Sequence, residues 1–498
     1  MSLAVIFASA VVGYVGCLAI YRVFLHPLSK YPGPILAALT EGYEAYYNII
    51  VRGGFLTEIE RLHKVHGPVV RVGPNTLHFK DRQAYHDIYT HGWTLIKEPQ
   101  FHHNLMAHCR ESSIAMTDPQ EAKNRRSLLA PLFTRRAIVA LEYTIQSKID
   151  KLVSLLEENY NSRDSSLDLS LAYISLTRDI ITSYCFAECS NSLDVPNFAS
   201  VGGQDILEWL WLQRHFPFLA SFALGVYQKL ILWLSPQFKV HVEVTTGFER
   251  QIDKLIGDPE SLSIAEHETV YHHLLAPKSQ DRPSRKSLVE EAITLVGAGS
   301  GSTSTACTVG TFYFLKNQSV REKITHELHE AWPDKSKAIN FTVLEKLPYL
   351  TAFIKETLRF TPGIIHPLPR MTGGKTTVIG SWEVPPGTSV EMSILFMHMN
   401  PDVFPDPHAF NPDRWLAKDI DDMTEDLVPF TKGPRICLGM QLALCELYLI
   451  FANIFRKLNL ALLVTEDTID DYSKGHIDSF MPIWKKGYRV VVDKPQES

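Results

Sequence analysis

Apolar and polar positions divide the chain into distinct stretches. From Leu3 to Tyr21 the only clearly polar side chain is Ser9, a run long enough to cross a bilayer as one helix. No Lys or Arg precedes Arg22, which argues against a cleaved leader. The cations Arg22, Lys30 and Arg52 all follow the run, which places the bulk of the chain on the cytosolic side. A buried N-terminal core helix is the alternative reading. From His26 to Pro34 come three prolines and a glycine, which cannot continue a helix and make a stiff, extended link.

In the body, the pattern predicts a helix around Glu58 to Lys64 and short strands at Val69–Val72 and Thr76–Phe79. Helical periodicity dominates from Lys123 to Lys346. Within it Leu288, Ala292, Leu295 and Ala298 recur at helical spacing, so Lys286 to Leu315 reads as one long helix. Beyond Pro362 the chain is rich in Pro and Gly, with short apolar runs such as Thr376–Ile379. A last helix, about Leu438 to Lys457, is apolar on nearly every side, as befits a helix buried in a large protein. No internal repeat stands out, and no linker divides the body. The expected fold is mainly α with a small β-rich portion (α+β): an anchor at 1–25, a Pro-rich link at 26–34 and one domain at 35–498. The segment Ile206 to Trp233 carries Trp209, Trp211, Phe216, Phe218, Phe222 and Trp233. It reads either as core packing or as an apolar surface that dips into a membrane.

Composition narrows the class. The 498 residues are 45% hydrophobic and 21% charged, with a net charge of −6, so nothing marks nucleic acid as a partner. The seven cysteines are odd in number and form no CxxC pair, which removes a disulfide framework and a zinc ribbon. With the body in the cytosol, the sequons at Asn317 and Asn340 are expected to go unused.

One cysteine sits in a loop with its own chemistry: Phe430-Thr431-Lys432-Gly433-Pro434-Arg435-Ile436-Cys437-Leu438-Gly439. Cys437 comes just before the last helix, whose N-terminal N–H groups favour a thiolate. Gly433 and Gly439 permit tight turns close to a flat cofactor. Arg435 can pair with a carboxylate of that cofactor, and Phe430 can shield the sulfur.

This FxxGxRxCxG pattern resembles that of the cytochrome P450 superfamily, the haem-thiolate monooxygenases, at all five fixed positions. The resemblance implies the P450 fold, haem b with Cys437 as axial iron ligand, dioxygen as co-substrate, and electrons from NADPH through a separate NADPH-cytochrome P450 reductase. It also implies a single-pass protein of the endoplasmic reticulum membrane with its catalytic domain facing the cytosol. Glu356-Thr357-Leu358-Arg359 resembles the superfamily's ExxR pair, and Asn411-Pro412-Asp413-Arg414-Trp415 its PERW segment. Together they imply a buried Glu356–Arg359–Arg414 network that serves folding and haem retention. Asp118 to Arg126 resembles the start of the C helix, with Ala122 in place of the usual aromatic or histidine. Pro369-Arg370 resembles the segment whose arginine meets a haem propionate. Arg126, Arg370 and Arg435 are thus the expected propionate ligands.

The long helix departs from the pattern. Gly297-Ala298-Gly299-Ser300-Gly301-Ser302-Thr303 resembles the oxygen-activating AGxDT segment, but Gly301 stands where the acid belongs and Ser302 where the threonine belongs. Ala298, Gly299, Ser302 and Thr303 are the expected catalytic set, with protons from water, Ser302, Thr303 or the substrate. The same glycines offer a dinucleotide-binding loop, with Glu322 about 20 residues on. Ser302 in place of the third glycine and the preceding helix oppose it.

On the substrate side, the resemblance assigns Ile364, Ile365, His366, Phe480 and Met481 to an apolar pocket. The loop bearing His102, His103 and His108 is its expected cap, and no spacing there supports a metal site. The opening Tyr31-Pro32-Gly33-Pro34 and the His66-Gly67-Pro68-Val69-Val70-Arg71 segment resemble filamentous-fungal secondary-metabolism members of the trichodiene-oxygenase-like group. This implies a terpenoid-type substrate, with polyketides and alkaloids open. The loss of the acid at 301 keeps rearrangement, dehydration or desaturation as an alternative reaction. A non-enzymatic haem sensor is the third reading.

Overall fold

A computed structural model of the protein describes residues 3–90, 94–160, 166–198, 204–222, 236–276, 282–466 and 468–493. The first helix, α1 (Leu3–Ile20), continues as a widened turn to Leu25. This 23-residue stretch has a mean hydropathy of 2.4 and none of it is buried, so it meets the length and composition for a membrane span. The link that follows is extended but not free. Arg71 donates its N–H to Pro32 O at 2.8 Å and its Nη1 to Arg22 O at 2.8 Å, while Leu28 and Tyr31 are buried.

The helices that build the site are α2 (Phe55–His66), α3 (Pro99–Leu105), α4 (Pro119–Leu129), α5 (Glu142–Asn159), α6 (Leu169–Phe186), α7 (Gln204–His215), α8 (Pro236–Gly257), α9 (Arg285–Lys316), α10 (Gln318–Ala331), α11 (Pro348–Phe360) and α12 (Met440–Lys457). The expected helices at Glu58, Lys286 and Leu438 appear with their ends moved by at most three residues, and the last still ends at Lys457. Residue chemistry sets several starts. Asp118 accepts from Gln120 N and Glu121 N ahead of Pro119, and Ser284 accepts from Ser287 N, both N-caps that satisfy otherwise unpaired donors.

The strands are β1 (Val69–Gly73), β2 (Thr76–Phe79), β3 (Ile96–Lys97), β4 (Leu167–Asp168), β5 (Arg370–Met371), β6 (Thr377–Ile379), β7 (Trp382–Val384), β8 (Ser389–Glu391), β9 (Asn459–Leu463), β10 (His476–Ser479), β11 (Met481–Trp484) and β12 (Arg489–Asp493). The largest sheet has the order β1-β2-β8-β5-β3, with β2 and β8 parallel. Its register sets Lys97 directly across from Arg370. The helical core surrounds α9, which packs on α6, α8, α11 and α12. An added Cβ at Gly299 would come within 2.7 Å of Ile181 on α6, so glycine there lets the two helices approach.

The segment rich in Trp and Phe splits. Trp211 is buried and donates Nε1–H to Asp478 O at 3.2 Å, whereas Phe216, Phe218 and Phe222 are exposed. Trp233 lies outside the described residues.

Candidate active site

The cysteine loop turns tightly. Gly433 has φ +73°, and a Cβ on it would reach 2.2 Å from Tyr89 O, so only glycine fits. Ile436 N donates to Gly433 O and Cys437 N to Phe430 O, at 3.0 and 2.9 Å, which holds the cysteine at the foot of α12. Phe430 is half-buried beside it. Cys437 has accessible surface, yet surrounding protein pushes its thiol pKa up, against the pull of the Gly439 N–H and the Arg126 charge. Both hold for a sulfur that lines an interior hollow rather than the outer surface.

Across the α9–α12 packing, the middle of α9 is open on one stripe. Gly297 and Ala298 are exposed, and Gly301, Ser302 and Thr305 partly so, while Val296, Ser300, Thr303 and Ala306 are buried. These open positions share one face by helical spacing. Ser302 Oγ donates to Ala298 O at 2.9 Å, leaving its lone pairs toward the opening. Thr303 points the other way, into the α9–α12 contact.

The cations gather at one edge. Arg126 Nη2 donates to Ile436 O at 2.6 Å, Arg435 Nη2 to Met116 O at 2.9 Å, and Arg370 Nη1 to Leu368 O and Pro369 O at 3.3 and 3.2 Å. Lys97 joins them, donating Nζ to Ile114 O. Burial, then Arg370, Arg435 and Arg126, hold the Lys97 amine well below its ordinary pKa. Burial and its two arginine neighbours push Arg435 down to about 10. No carboxylate forms an ion pair with Lys97, Arg126 or Arg370 among the described residues. Like charges opposed across a ladder repel, so this cluster fits an incoming pair of carboxylates. An added Cβ on Gly439 or Gly297 meets nothing within 4 Å. The loop and α9 thus leave room for a flat group between a thiol and four cations, and the residues fit a haem with its two propionates.

Glu356 and Arg359 are fully buried. Arg359 donates Nη2 to Glu356 Oε1 at 2.8 Å and Nε to Oε2 at 3.0 Å, and Arg414 Nε adds a bond to Oε1 at 3.2 Å. Trp415 Nε1 and Asn411 N complete the carboxylate's shell, each at 2.9 Å. Arg359 also donates to His398 O at 2.9 Å. His398 Nε2 accepts from Val428 N at 2.9 Å, so the network reaches the entrance of the cysteine loop.

The substrate-side residues separate. Ile364, Phe480 and Met481 pack with Phe101, Leu105 and Trp211 in one apolar cluster. Ile365 belongs to another, with Phe55 and Ile59. His366 is buried between Phe101, stacked at 5.5 Å, and Trp211, and donates Nδ1–H to Asp478 Oδ2 at 2.7 Å. It braces the β10–β11 turn from behind. The loop before α4 is pinned to α9: Glu290 accepts from Glu111 N at 2.6 Å, and Glu291 from Ser113 N and Arg125 Nη1, each at 2.9 Å. His102 is buried near the cations, with Nδ1–H on Glu98 O at 2.8 Å. Sequence reasoning missed Lys97, Trp415 and the Arg125–Glu291 pair. Trp415 lay within a quoted motif, whereas Lys97 and Arg125 carry no local signal.

A haem-thiolate site is what this fold and loop define. The family model for Cytochrome P450 matches residues 44–483, and the chain belongs to that family. It is similar to the cytochrome P450 monooxygenase MO6277 of Ascocoryne sarcoides, 34% identical over 96% of both chains. It is also similar to the cytochrome P450 monooxygenase sdnE of Sordaria araneosa, 32% identical over 95% of both. The tryptophan 6-hydroxylase fscE of Fusarium equiseti is 33% identical over 96% of this chain and 94% of its own. The chain is thus an oxygen-incorporating oxidoreductase of the kind found in fungal secondary metabolism.

Proposed function

We propose that this monooxygenase inserts oxygen into an apolar small molecule, a terpenoid-type intermediate, with electrons from NADPH delivered by a separate cytochrome P450 reductase. Haem b bound through Cys437 would supply dioxygen activation, the thiolate favouring O–O cleavage. The observation that carries the reading is the junction of the Cys437 loop, the four-cation edge and the open stripe of α9. In this scheme the Gly439 N–H and Arg126 keep negative charge on the sulfur, and Phe430 keeps water from it. Arg126, Arg370, Arg435 and Lys97 receive the propionates. Ser302, tied to Ala298 O, keeps its hydroxyl oxygen toward the reacting face. Ile364, Phe480 and Met481 supply an apolar wall, which suits an apolar substrate. The α1 helix and the exposed Phe216, Phe218 and Phe222 support attachment to the endoplasmic reticulum membrane from the cytosolic side.

The second reading, rearrangement, dehydration or desaturation, is favoured by one observation. The space beside Gly301 faces Met481, whose Cε lies 3.3 Å from where a Cβ would stand, so no carboxylate is offered there. Full-length protein with a reductase, fed terpenoids, polyketides and indole compounds under heavy-isotope dioxygen, tests both. Label in the product, absent from Cys437→Ala, is expected. Conversion without label would replace the proposal by the second reading, and the tryptophan hydroxylase among the relatives makes indoles a necessary part of the panel.

A further inference from the structure

One residue of the pocket wall is held in a backbone conformation that its side chain opposes. Phe480 has φ +72°, where a bulky residue is a true outlier. The β10–β11 register pairs Ser479 with Met481 and leaves Phe480 alone at the tip. Strained backbone persists only where its surroundings over-determine it, and it gathers at ligand clamps. Here the surroundings are a buried polar bracket. Phe480 N donates to Asp478 Oδ1 at 2.9 Å, and the other carboxylate oxygen takes the Nδ1–H of His366 at 2.7 Å. Ile365 N and His366 N donate to Phe480 O at 3.0 and 3.4 Å. Asp478 is 1% exposed and His366 3%. Trp211 on α7 donates Nε1–H to Asp478 O at 3.2 Å, with its ring 4.5 Å from that of His366. Asp478 N donates to Gly53 O at 3.2 Å, and a Cβ on Gly53 would reach 2.2 Å from Asp478 O.

What the bracket holds meets the part of α9 that departs from the family pattern. Met481 Cε stands 3.3 Å from where a Cβ on Gly301 would be. The stretch leading into His366 arrives there too: a Cβ on Gly363, itself at φ +68°, would lie 3.5 Å from Ser302 Cβ. Ile364 shares the Phe480–Met481 cluster. Stability alone would be better served by glycine at the tip, which adopts a positive φ without strain, so the phenyl ring is kept for what it packs on. We propose that His366 and Asp478 are positioning residues that set which ligand shapes reach the open face of α9. By holding Phe480 left-handed they keep Met481 against Gly301 and Gly363 against Ser302, and bulky or branched groups are shut out of that space. Neither residue touches the ligand. The His366 ring is stacked on Phe101 at 5.5 Å, its Nδ1–H is taken by Asp478, and its Nε2 lies 3.9 Å from Glu44 Oε1. Both act through Phe480.

The inference rests on the reading of Ile364, Phe480 and Met481 as pocket wall, and its test needs neither substrate nor oxygen. Holoenzyme is titrated with imidazole and with the triaryl azole clotrimazole, followed by the shift of the haem absorption band. His366→Phe keeps an aromatic ring against Phe101 and removes the donor to Asp478. Losing a hydrogen bond to a charged group weakens the held state roughly tenfold or more. The ratio of the clotrimazole Kd to the imidazole Kd should therefore fall about tenfold in His366→Phe, and amide hydrogen exchange across residues 476–484 should quicken by about as much. His366→Asn keeps an N–H donor near the Nδ1 position and should restore both, which a loss of packing would not allow. In Phe480→Gly, where the tip is free of strain, adding His366→Phe should leave exchange unchanged, and this pair carries the test if His366→Phe alone does not keep haem. An unchanged azole ratio in His366→Phe, or faster exchange when it is added to Phe480→Gly, would overturn the proposal and leave the bracket to packing. Failure of heavy oxygen to enter the wild-type product would instead sink the monooxygenase reading, with the azole and exchange results still standing.

Discussion

Replacing Lys97 by Met separates what the cation edge costs the empty protein from what it gives the loaded one. Lys97 Nζ is buried, bonded to Ile114 O, and set across β3–β5 from Arg370 with Arg126 and Arg435 close enough to depress its amine. In the haem-free protein its charge is opposed on every side. A propionate would reverse that, and a charge-assisted hydrogen bond is worth about 1.5–3 kcal/mol. Lys97→Met keeps the apolar stem and removes the donor. Haem release, followed by transfer to an excess of a haem-scavenging globin, should then be roughly ten- to 150-fold faster. The haem-free variant should melt no lower than the haem-free wild type, because removing a buried amine offsets the lost bond to one carbonyl. Haem binding to the wild type should also take up protons, seen as a dependence of binding heat on buffer ionisation enthalpy, and the variant should take up fewer. Haem release at the wild-type rate, with unchanged proton uptake, would refute the idea that this lysine faces the cofactor's carboxylates.

Further outcomes follow from three other parts of the structure. Arg359→Leu strands the buried Glu356 carboxylate and should cost about 3–5 kcal/mol. Trp415→Phe removes one bond to that carboxylate and should cost about 1.5–3 kcal/mol, both read by denaturant unfolding of haem-loaded protein. His63 Nδ1–H donates to Gly67 O at 2.7 Å, and its Nε2 accepts from His78 Nδ1–H at 2.7 Å, so both rings are needed neutral. Burial holds His63 down to about 4 and His78 well below its usual value. With folded values depressed, the stability is fully present above pH 6.5 and is lost as pH falls from there toward 4, about 3 kcal/mol for His63 alone. Urea midpoints at pH 7.5 and 4.5 should therefore differ more in wild type than in His63→Gln. Deleting residues 1–25 should abolish membrane pelleting and leave the fold intact. Deletion through 34 also removes Leu28 and Tyr31, each worth about 1.5–3 kcal/mol of burial, and should lower the melting temperature.

What the sequence made legible was local. The loop from Phe430 to Gly439 is read from contiguous residues because its turns, its cysteine and the helix that follows depend on each other over ten positions. The ExxR pair is legible for the same reason, both residues lying on one helical turn. Lys97 was not legible, because its role comes from the pairing of two-residue strands far apart in the chain. Substrate-side assignment by segment also reached its limit at Ile364-Ile365-His366. The side chains of three consecutive residues part, and only that of Ile364 joins Phe480 and Met481, whereas Ile365 and His366 donate backbone N–H groups to Phe480 O.

The departure at Gly301 shows how far local motif reading can be extended by packing. Taken alone, glycine in place of an acid says that something is missing. In the fold, the space beside Gly301 is faced by the Met481 thioether. An acid on the open face would be solvated by whatever water enters with the substrate, and its pKa would follow. Met481 in that space leaves the reacting face apolar. That arrangement suits a large apolar substrate pressed against α9, because the space of one side chain is given to Met481 and the substrate. On this argument the absent acid and the apolar pocket are one adaptation. Restoring Gly301→Asp should then impair binding of the true substrate, seen as a weaker spectral shift on titration, even where coupling with a smaller surrogate is unchanged.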